Sequence, residues 1–351
     1  MATYKIYPTQ DTTLYSQYPN LNSGRDEILE VSSYFYTGTK YNSRYLIQFS
    51  TTEIQDVIDN KVTSSFDITL NTKIANISGL SSDTTVYFYE VSGSWDMGTG
   101  HYKDNPIVTN GSSWNWKDYS GSILWVTEGG DFYSTPVYSQ SYSYYTQDDI
   151  NVSVKTSVMS WYSGSKDNHG FIAKLTSSVE ESNNLNIQPI FKYFSRDTHT
   201  IYPPYLEFKW DDYTFNTGSS TNTTLNTPEA FMSIYNNAGV YYSESIARFR
   251  VAAIPKYPDR QFITSSYYTE NFYLPESNSY YAIKDAHTNE FVVNFDSTYT
   301  RISADATSSY FNIYMNGLEP ERYYTILIKS SIGGVTKVWD EDIQFKVEKG
   351  D

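Results

Sequence analysis

The stretch FSRDTHTIYPPYLEFKW, residues 194–210, decides how this chain is organised. It reads as the last strand of a domain, YLEFKW, entered through a double proline. Pro203 and Pro204 force extended geometry on the residues before the strand. Ahead of them stands a polar cluster, Arg196, Asp197, Thr198 and His199, which is either a catalytic constellation or a structural loop. Opposite charges side by side are suited to stapling a loop through charge-assisted hydrogen bonds. We read the cluster as architecture: Arg196 and Asp197 hold the approach to a closing strand, and one sandwich hands over to the next just after it.

Working back from this strand, short β-like runs recur with turn residues between them. They include YKIYP (4–8), EILEVSSYFY (27–36), RYLIQFS (44–50), TVYFYEV (85–91), SILWV (122–126), GFIAKL (170–175) and IFKYF (190–194). Ser, Gly, Asn and Asp clusters bound them, and runs this short at this spacing predict a sandwich or jelly roll. Two segments carry helical spacing. STTEIQDVID (50–59) is one; in VKTSVMSWYSG (154–164), Val154, Val158 and Trp161 repeat at i, i+4, i+7 and Gly164 supplies a stop. Both are short, and are expected to plug an end of the sandwich or cover an edge.

Working forward, residues 212–230 are poor in large apolar side chains and rich in Thr, Asn, Ser and Gly, which reads as a linker or crossing segment. Beyond it, IARFRVAAIP (246–255), YYAIKD (280–285), YFNIYM (310–315), YYTILIKS (323–330) and IQFKVEK (343–349) form a second strand set of immunoglobulin-like extent. Within it, GLEPERYY (317–324) places Leu318, Pro320 and Tyr324 in the relation of a tyrosine corner. Proline fixes the turn, leucine fills the core, and the phenol ties back to a nearby main-chain group. The expected organisation is therefore all-β: a jelly-roll-like β-sandwich over 1–211, a linker over 212–230 and an immunoglobulin-like β-sandwich over 231–351.

Composition agrees with this. The chain has 351 residues, enough for two or three domains at roughly 150 residues each. Its apolar content leans on 36 Tyr and 18 Phe, which favour strands. A net charge of −15 argues against nucleic acid, whose binding needs Lys and Arg to displace counterions, and leaves a basic partner open. No apolar run approaches the roughly 20 residues of a membrane span, and MATYKIYPTQ lacks the pattern of a secretory signal. The absence of Cys fits folding in a reducing compartment and removes disulfide, Cys–zinc and thiol chemistry together.

Sites for chemistry are few. His101, His169, His199 and His287 are far apart and none has a partner at metal-ligand spacing, so no metal and no cofactor are expected. No GxSxG elbow, P-loop, dinucleotide fingerprint or HExxH occurs, and no catalytic residue is nominated. Carboxylates near GSWDMGTG (93–100) and VEESNNLN (179–186) lie in stretches that read as surface loops. Asp11, Asp26, Asp96 and Asp131 read as turn residues, with calcium ligation as the rival reading. Trp95, Trp114, Trp116, Trp125 and the tyrosines of YSQSYSYY (138–145) allow two readings: an exposed platform for sugar rings, or core and subunit interface.

Taken together, DTTLYSQYPNLNSGRDEILEV (11–31), SRYLIQFS, GSWDMGTG, SSWNW (112–116), INVSVKTSVMSWYSGSKDNHGFIAKL (150–175) and the 194–210 stretch resemble the DNRLRE-type β-sandwich, a module akin to carbohydrate-binding jelly rolls. The resemblance implies that Arg44, Leu46 and Phe49 lie on a strand and that Trp95 and Trp114 lie in long loops. It also implies that the stretch from Trp161 to Phe171, with Gly170 in it, leads into a strand, and that Ser195, Arg196 and Asp197 precede a Pro-Tyr-Leu strand. Ser stands where the family pattern has Thr before Trp95 and Trp114.

The second half, through RFRVAAIPKYPDRQF (248–262), TSSYYTENFYLPESNSYYAIKDAHTNEFVV (264–293) and GLEPERYYTILIKS, resembles carboxy-terminal modules of virion structural proteins in large tailed bacteriophages. What the resemblance implies is a non-enzymatic accessory protein of the particle, made in the host cytoplasm and docking in multiple copies to capsid, portal vertex or neck proteins. The alternative is a carbohydrate-binding module for surface attachment, with Trp95, Trp114 and Trp116 as its glycan-binding residues.

Overall fold

The computed structural model describes residues 2–145, 148–220, 222–257 and 271–350; part of the carboxy-terminal resemblance, 258–270, lies outside the described residues. Strands hold 46% of the chain and helices 8%, which makes the protein all-β, with multiple sandwich-like sheets. It divides into two compact units, Ile6–Lys61 with Asp67–Glu207, and Phe208–Asp351 with Met1–Lys5 and Val62–Phe66.

In the amino-terminal unit an eight-stranded sheet follows the order Phe132–Tyr142, Thr84–Val91, Phe171–Leu175, Thr39–Phe49, Ile28–Tyr36, Ile190–Phe194, Ile74–Ser78, with Pro8–Tyr15 also paired to Thr39–Phe49. In a second sheet Thr69–Thr72 pair antiparallel with Ile150–Ser153. The strand Thr39–Phe49 explains the long aromatic loops. Successive strand residues point to opposite faces, yet Tyr45, Leu46, Ile47 and Phe49 are all buried. Both faces are therefore covered. Leu46 packs with Leu14, Ile172 and the loop residues Trp95, Met97, Trp114 and Trp125, so the loops after Val91 are a second wall over the sheet.

Gly170 fixes the entry to strand Phe171–Leu175. Its φ is +79°, and a Cβ there would lie 2.0 Å from the Ile47 carbonyl oxygen. Only glycine tolerates both the left-handed backbone and that approach. The two helices stand where the sequence places them, at Thr51–Asn60 and Lys155–Tyr162. Ser50 caps the first by accepting the Glu53 amide, and Ile54 and Val57 face inward. Trp161 of the second lies on Phe171 with ring centroids 4.9 Å apart. The Tyr162 hydroxyl donates to Asp59 Oδ1 at 2.6 Å, joining the helices.

The carboxy-terminal unit holds two sheets, Ala230–Ile234, Ile246–Pro255, Ser309–Tyr314, Ser303–Ala304, and Val240–Tyr242, Val335–Glu348, Arg322–Ile332, Ser279–Asp285, Phe291–Val293. Aromatic rings fill the space between them. Tyr281 and Phe311 stack at 4.2 Å, and Phe249 reaches Phe345 at 5.4 Å. Residues 212–220 and 222–230 lie along this unit: the Ala304 amide donates to the Thr214 carbonyl at 2.9 Å and the Leu225 amide to the Tyr273 carbonyl at 2.7 Å, with Leu225 buried.

Candidate interaction site

Arg44 projects from strand Thr39–Phe49 into the wall of loops. Its Nε and Nη2 donate to the two carboxylate oxygens of Glu180 at 3.0 and 2.7 Å, its Nη1 donates to the Gly129 carbonyl at 2.9 Å, and its guanidinium lies 5.0 Å from the Trp114 ring. Lys174 Nζ joins the same carboxylate at 3.0 Å. Glu180 ends a four-residue helix, Ser177–Glu180, that Thr176 caps. Within VEESNNLN, read as a surface loop, Glu181 and residues 183–186 are indeed exposed, but Glu180 is buried, because two cations meet it inside. Phe49, five positions beyond Arg44 on the same strand, is buried core.

The tryptophans do not form an outward platform. Trp95 and Trp114 are 6% and 9% exposed and Trp125 is buried as well. Their polar edges are spent internally: Trp95 Nε1 donates to the His169 carbonyl at 2.9 Å and Trp125 Nε1 to the Ser113 carbonyl at 2.9 Å. A buried indole needs its N–H satisfied, and the loops supply main-chain carbonyls for it. Trp116 is half-buried, with Nε1 on Asn20 Oδ1 at 3.0 Å and its ring edge-on to Tyr119. Beside these loops an open cleft of about 500 Å3 is lined by Ser92, Lys117, Thr127, Asp131 and Phe132. Its charges neutralise one another: Lys117 Nζ lies 2.9 Å from Asp131, which also accepts the Val126 and Thr127 amides. Burial raises the Asp131 pKa, but these donors outweigh it and leave the carboxyl below its usual range.

The opening cluster is a loop fastened from several sides. The Arg196 amide donates to Asp11 Oδ2 at 2.7 Å, and Arg25 pairs with Asp197 at 3.3 Å. The Arg196 and Asp197 side chains stand 3.8 Å apart, too far for a hydrogen bond, so the staple runs through partners distant in sequence rather than between the adjacent pair. His199 is exposed, 3.8 Å from Glu27. Asp11, read from sequence as a loop aspartate, lies within strand Pro8–Tyr15 and is buried. Burial pushes its carboxyl up to about 7, against the Arg196 amide and with a further push from Asp197.

In the carboxy-terminal unit the Tyr324 hydroxyl donates to the Glu319 carbonyl at 2.7 Å, with Leu318 and Tyr324 buried and Pro320 in the turn between. Next to it Arg322 Nε pairs with Asp285. Burial raises the Asp285 pKa, but Arg322 and the Thr288 and His287 amides bring it down to about 2.

Several tyrosines and apolar side chains remain open to solvent. Tyr144 and Tyr145 are 68% and 90% exposed at the end of YSQSYSYY, whereas Tyr142 is buried and Tyr138 bonds Ser157. A second group was not legible in the sequence. Tyr18 and Tyr102, 42% and 37% exposed, meet at 5.9 Å between ring centroids, and Tyr102 lies 4.7 Å from buried Tyr15. Tyr34 and Tyr41 pair at 6.1 Å nearby. These residues come from three separate stretches, and no spacing rule joins them.

Fold and surfaces together define an all-β protein of two sandwich-bearing units whose charged groups are largely engaged in internal bonds and whose aromatic side chains are partly left outside. No protein family and no curated protein matches the chain. Among solved structures it is similar to Parabacteroides merdae β-glucuronidase with glycerol in its active site, at 12% identity over 87% of this chain and 27% of that one, TM-score 0.16. It is also similar to the tripod (BppUct-A-L) from the baseplate of bacteriophage Tuc2009, at 9% identity over 99% of this chain and 92% of that one, TM-score 0.17. The chain thus spans about a quarter of the glucuronidase, and TM-scores this low define no shared fold.

Proposed function

We propose that this chain is a non-enzymatic structural protein of a tailed-phage virion that docks, in multiple copies, to neighbouring capsid, portal vertex or neck proteins through its β-sandwich surfaces. The observation that carries the reading is an exposed apolar pair on the outer face of one sheet of the carboxy-terminal unit. Met232 and Ala253 point inward on paired strands, while their neighbours Phe231 and Ile254, directly opposite one another, stand 59% and 42% exposed. A cross-strand aromatic–aliphatic pair left in water is the kind of surface that association covers. The bonds of Arg44, Glu180 and Lys174 support the same reading, since their charges serve packing.

Weak single contacts suffice for such a role, because copies held on a symmetric particle bind with high effective concentration. Mass spectrometry and cryo-electron microscopy of purified particles of the encoding phage test it. The chain is expected at a fixed symmetric position, with Phe231 and Ile254 covered by a neighbour. Its absence from the particles would sink the proposal.

A further inference from the structure

The eight-stranded sheet of the amino-terminal unit ends at strand Phe132–Tyr142, which pairs antiparallel with Thr84–Val91 on one side only. Residues Val137–Tyr142 keep a regular register against Tyr89–Thr84, so alternate residues turn both amide and carbonyl away from the sheet. Among the described residues the backbone of this stretch makes no bond beyond that ladder except with Gln140, whose side-chain amide donates to the Ser141 carbonyl at 3.3 Å. An unpaired row of this kind is a template for another strand.

Soluble proteins ordinarily guard such edges with charge, yet residues 132–145 carry none. Pro136 and the register shift between Phe132 and Val137 interrupt the first part of the strand and leave the rest open. The opposite edge of the sheet, Ile74–Ser78, is shorter and begins beside Lys73, which pairs with Asp149 at 2.6 Å. Inward side chains hold the open strand in place. Tyr138 stands edge-on to Phe171 at 6.1 Å with its hydroxyl on Ser157, and Tyr142 packs on Phe191 at 4.8 Å. Ser139 and Ser141 alternate with them on the other face, small and exposed. Exposed apolar side chains lie at both ends, Tyr133 and Val137 at one, Tyr144 and Tyr145 at the other.

We propose that Tyr138–Tyr142 pairs antiparallel with the same strand of a second copy of this chain, about a two-fold axis at Gln140. The sequence Tyr138-Ser139-Gln140-Ser141-Tyr142 reads alike in both directions. The axis sets Tyr138 against Tyr142 and Ser139 against Ser141 of the other copy, pairs that suit a sheet. Opposed residues are both odd or both even in the chain, so outward amides meet outward carbonyls and the two-fold repeats each bond. The antiparallel sense also brings the Val137 end of one copy beside the Tyr144–Tyr145 end of the other. Charge selects a second copy as the occupant. With a net charge of −15 on each, two copies meet most easily where neither presents a charge, whereas a basic partner gains nothing at an uncharged edge. Self-pairing needs no particle, so the inference is independent of the virion reading.

A ladder of this length buries less than the roughly 1,600 Å2 of a standard stable interface, so the dimer is reversible and concentration-dependent. Sedimentation velocity of the full chain over a dilution series tests it. Ser139→Lys combined with Ser141→Lys sets lysine against lysine twice across the axis and should weaken the dimer about ten-fold, although the added positive charge lowers general repulsion. Ser139→Lys combined with Ser141→Glu sets lysine against glutamate twice and should keep at least the parent's affinity. Both positions are exposed, and circular dichroism checks that each variant folds. Amide hydrogen exchange over Tyr138–Tyr142 should slow as concentration rises. A chain that is monomeric at every concentration overturns the proposal and leaves the edge to an extended segment of another protein or to solvent. Association that both variants leave unchanged, or that the Lys–Glu variant loses as fully as the Lys–Lys variant, overturns this edge and register.

Discussion

Replacing Asp11 by Asn should make the protein more stable at neutral and alkaline pH. Two effects compete at this carboxylate. The Arg196 amide and guanidinium favour its ionised form, while complete burial and Asp197 oppose it. Burial wins, and the carboxyl titrates near 7 in the folded chain against an ordinary 3.8. Below about pH 4 folded and unfolded chains both hold the proton. Between about pH 4 and 7 only the folded chain keeps it, so stability from this group is lost as pH rises and the loss levels off above 7. At about 1.4 kcal/mol per pH unit the full effect is up to about 4 kcal/mol.

Asn keeps an oxygen for the 2.7 Å bond from the Arg196 amide and carries no charge to desolvate. The assay is urea unfolding from pH 4 to 9, followed by tryptophan fluorescence. Trp95, Trp114, Trp116, Trp125 and Trp161, five of the chain's 7 tryptophans, belong to this unit. Subtracting the variant from the parent cancels the other carboxylates. The difference should grow in the variant's favour by several kcal/mol between pH 4 and 8. A flat difference, or a variant less stable than the parent at pH 8, would refute the dominance of burial and show that attraction to Arg196 decides.

Three further outcomes follow from single contacts. Glu180→Ala leaves Arg44 and Lys174 facing each other inside the loop wall and should cost about 3–5 kcal/mol, read as a lowered urea midpoint. Gly170→Ala forces a Cβ to 2.0 Å from the Ile47 carbonyl at a φ of +79°, so soluble expression should fall sharply and any folded product should melt well below the parent. Tyr324→Phe removes only the hydroxyl bonded to Glu319 and should cost about 1–2 kcal/mol, seen as a lower Tm with unchanged circular dichroism. A cost indistinguishable from zero would mean that water replaces the bond at no loss.

Local pattern by itself determined the class of this protein. Alternating and aromatic runs such as IARFRVAAIP became strand Ile246–Pro255, and the helical spacing of Val158 and Trp161 became helix Lys155–Tyr162. Both signals depend on neighbours within a few residues, which the chain fixes before it folds. The tertiary structure decided everything that depends on which side of a surface a residue lies. Trp95 and Trp114 turned inward because the sheet has a second face to cover, and Glu180 is buried within the otherwise exposed VEESNNLN because it meets Arg44, 136 positions away in the chain. Asp11 and Asp26 carry the same side chain in neighbouring stretches, yet one is buried and accepts the Arg196 amide while the other is half-buried next to Glu27. Burial and counter-charge come from residues far away in the chain, and no short stretch of sequence encodes them.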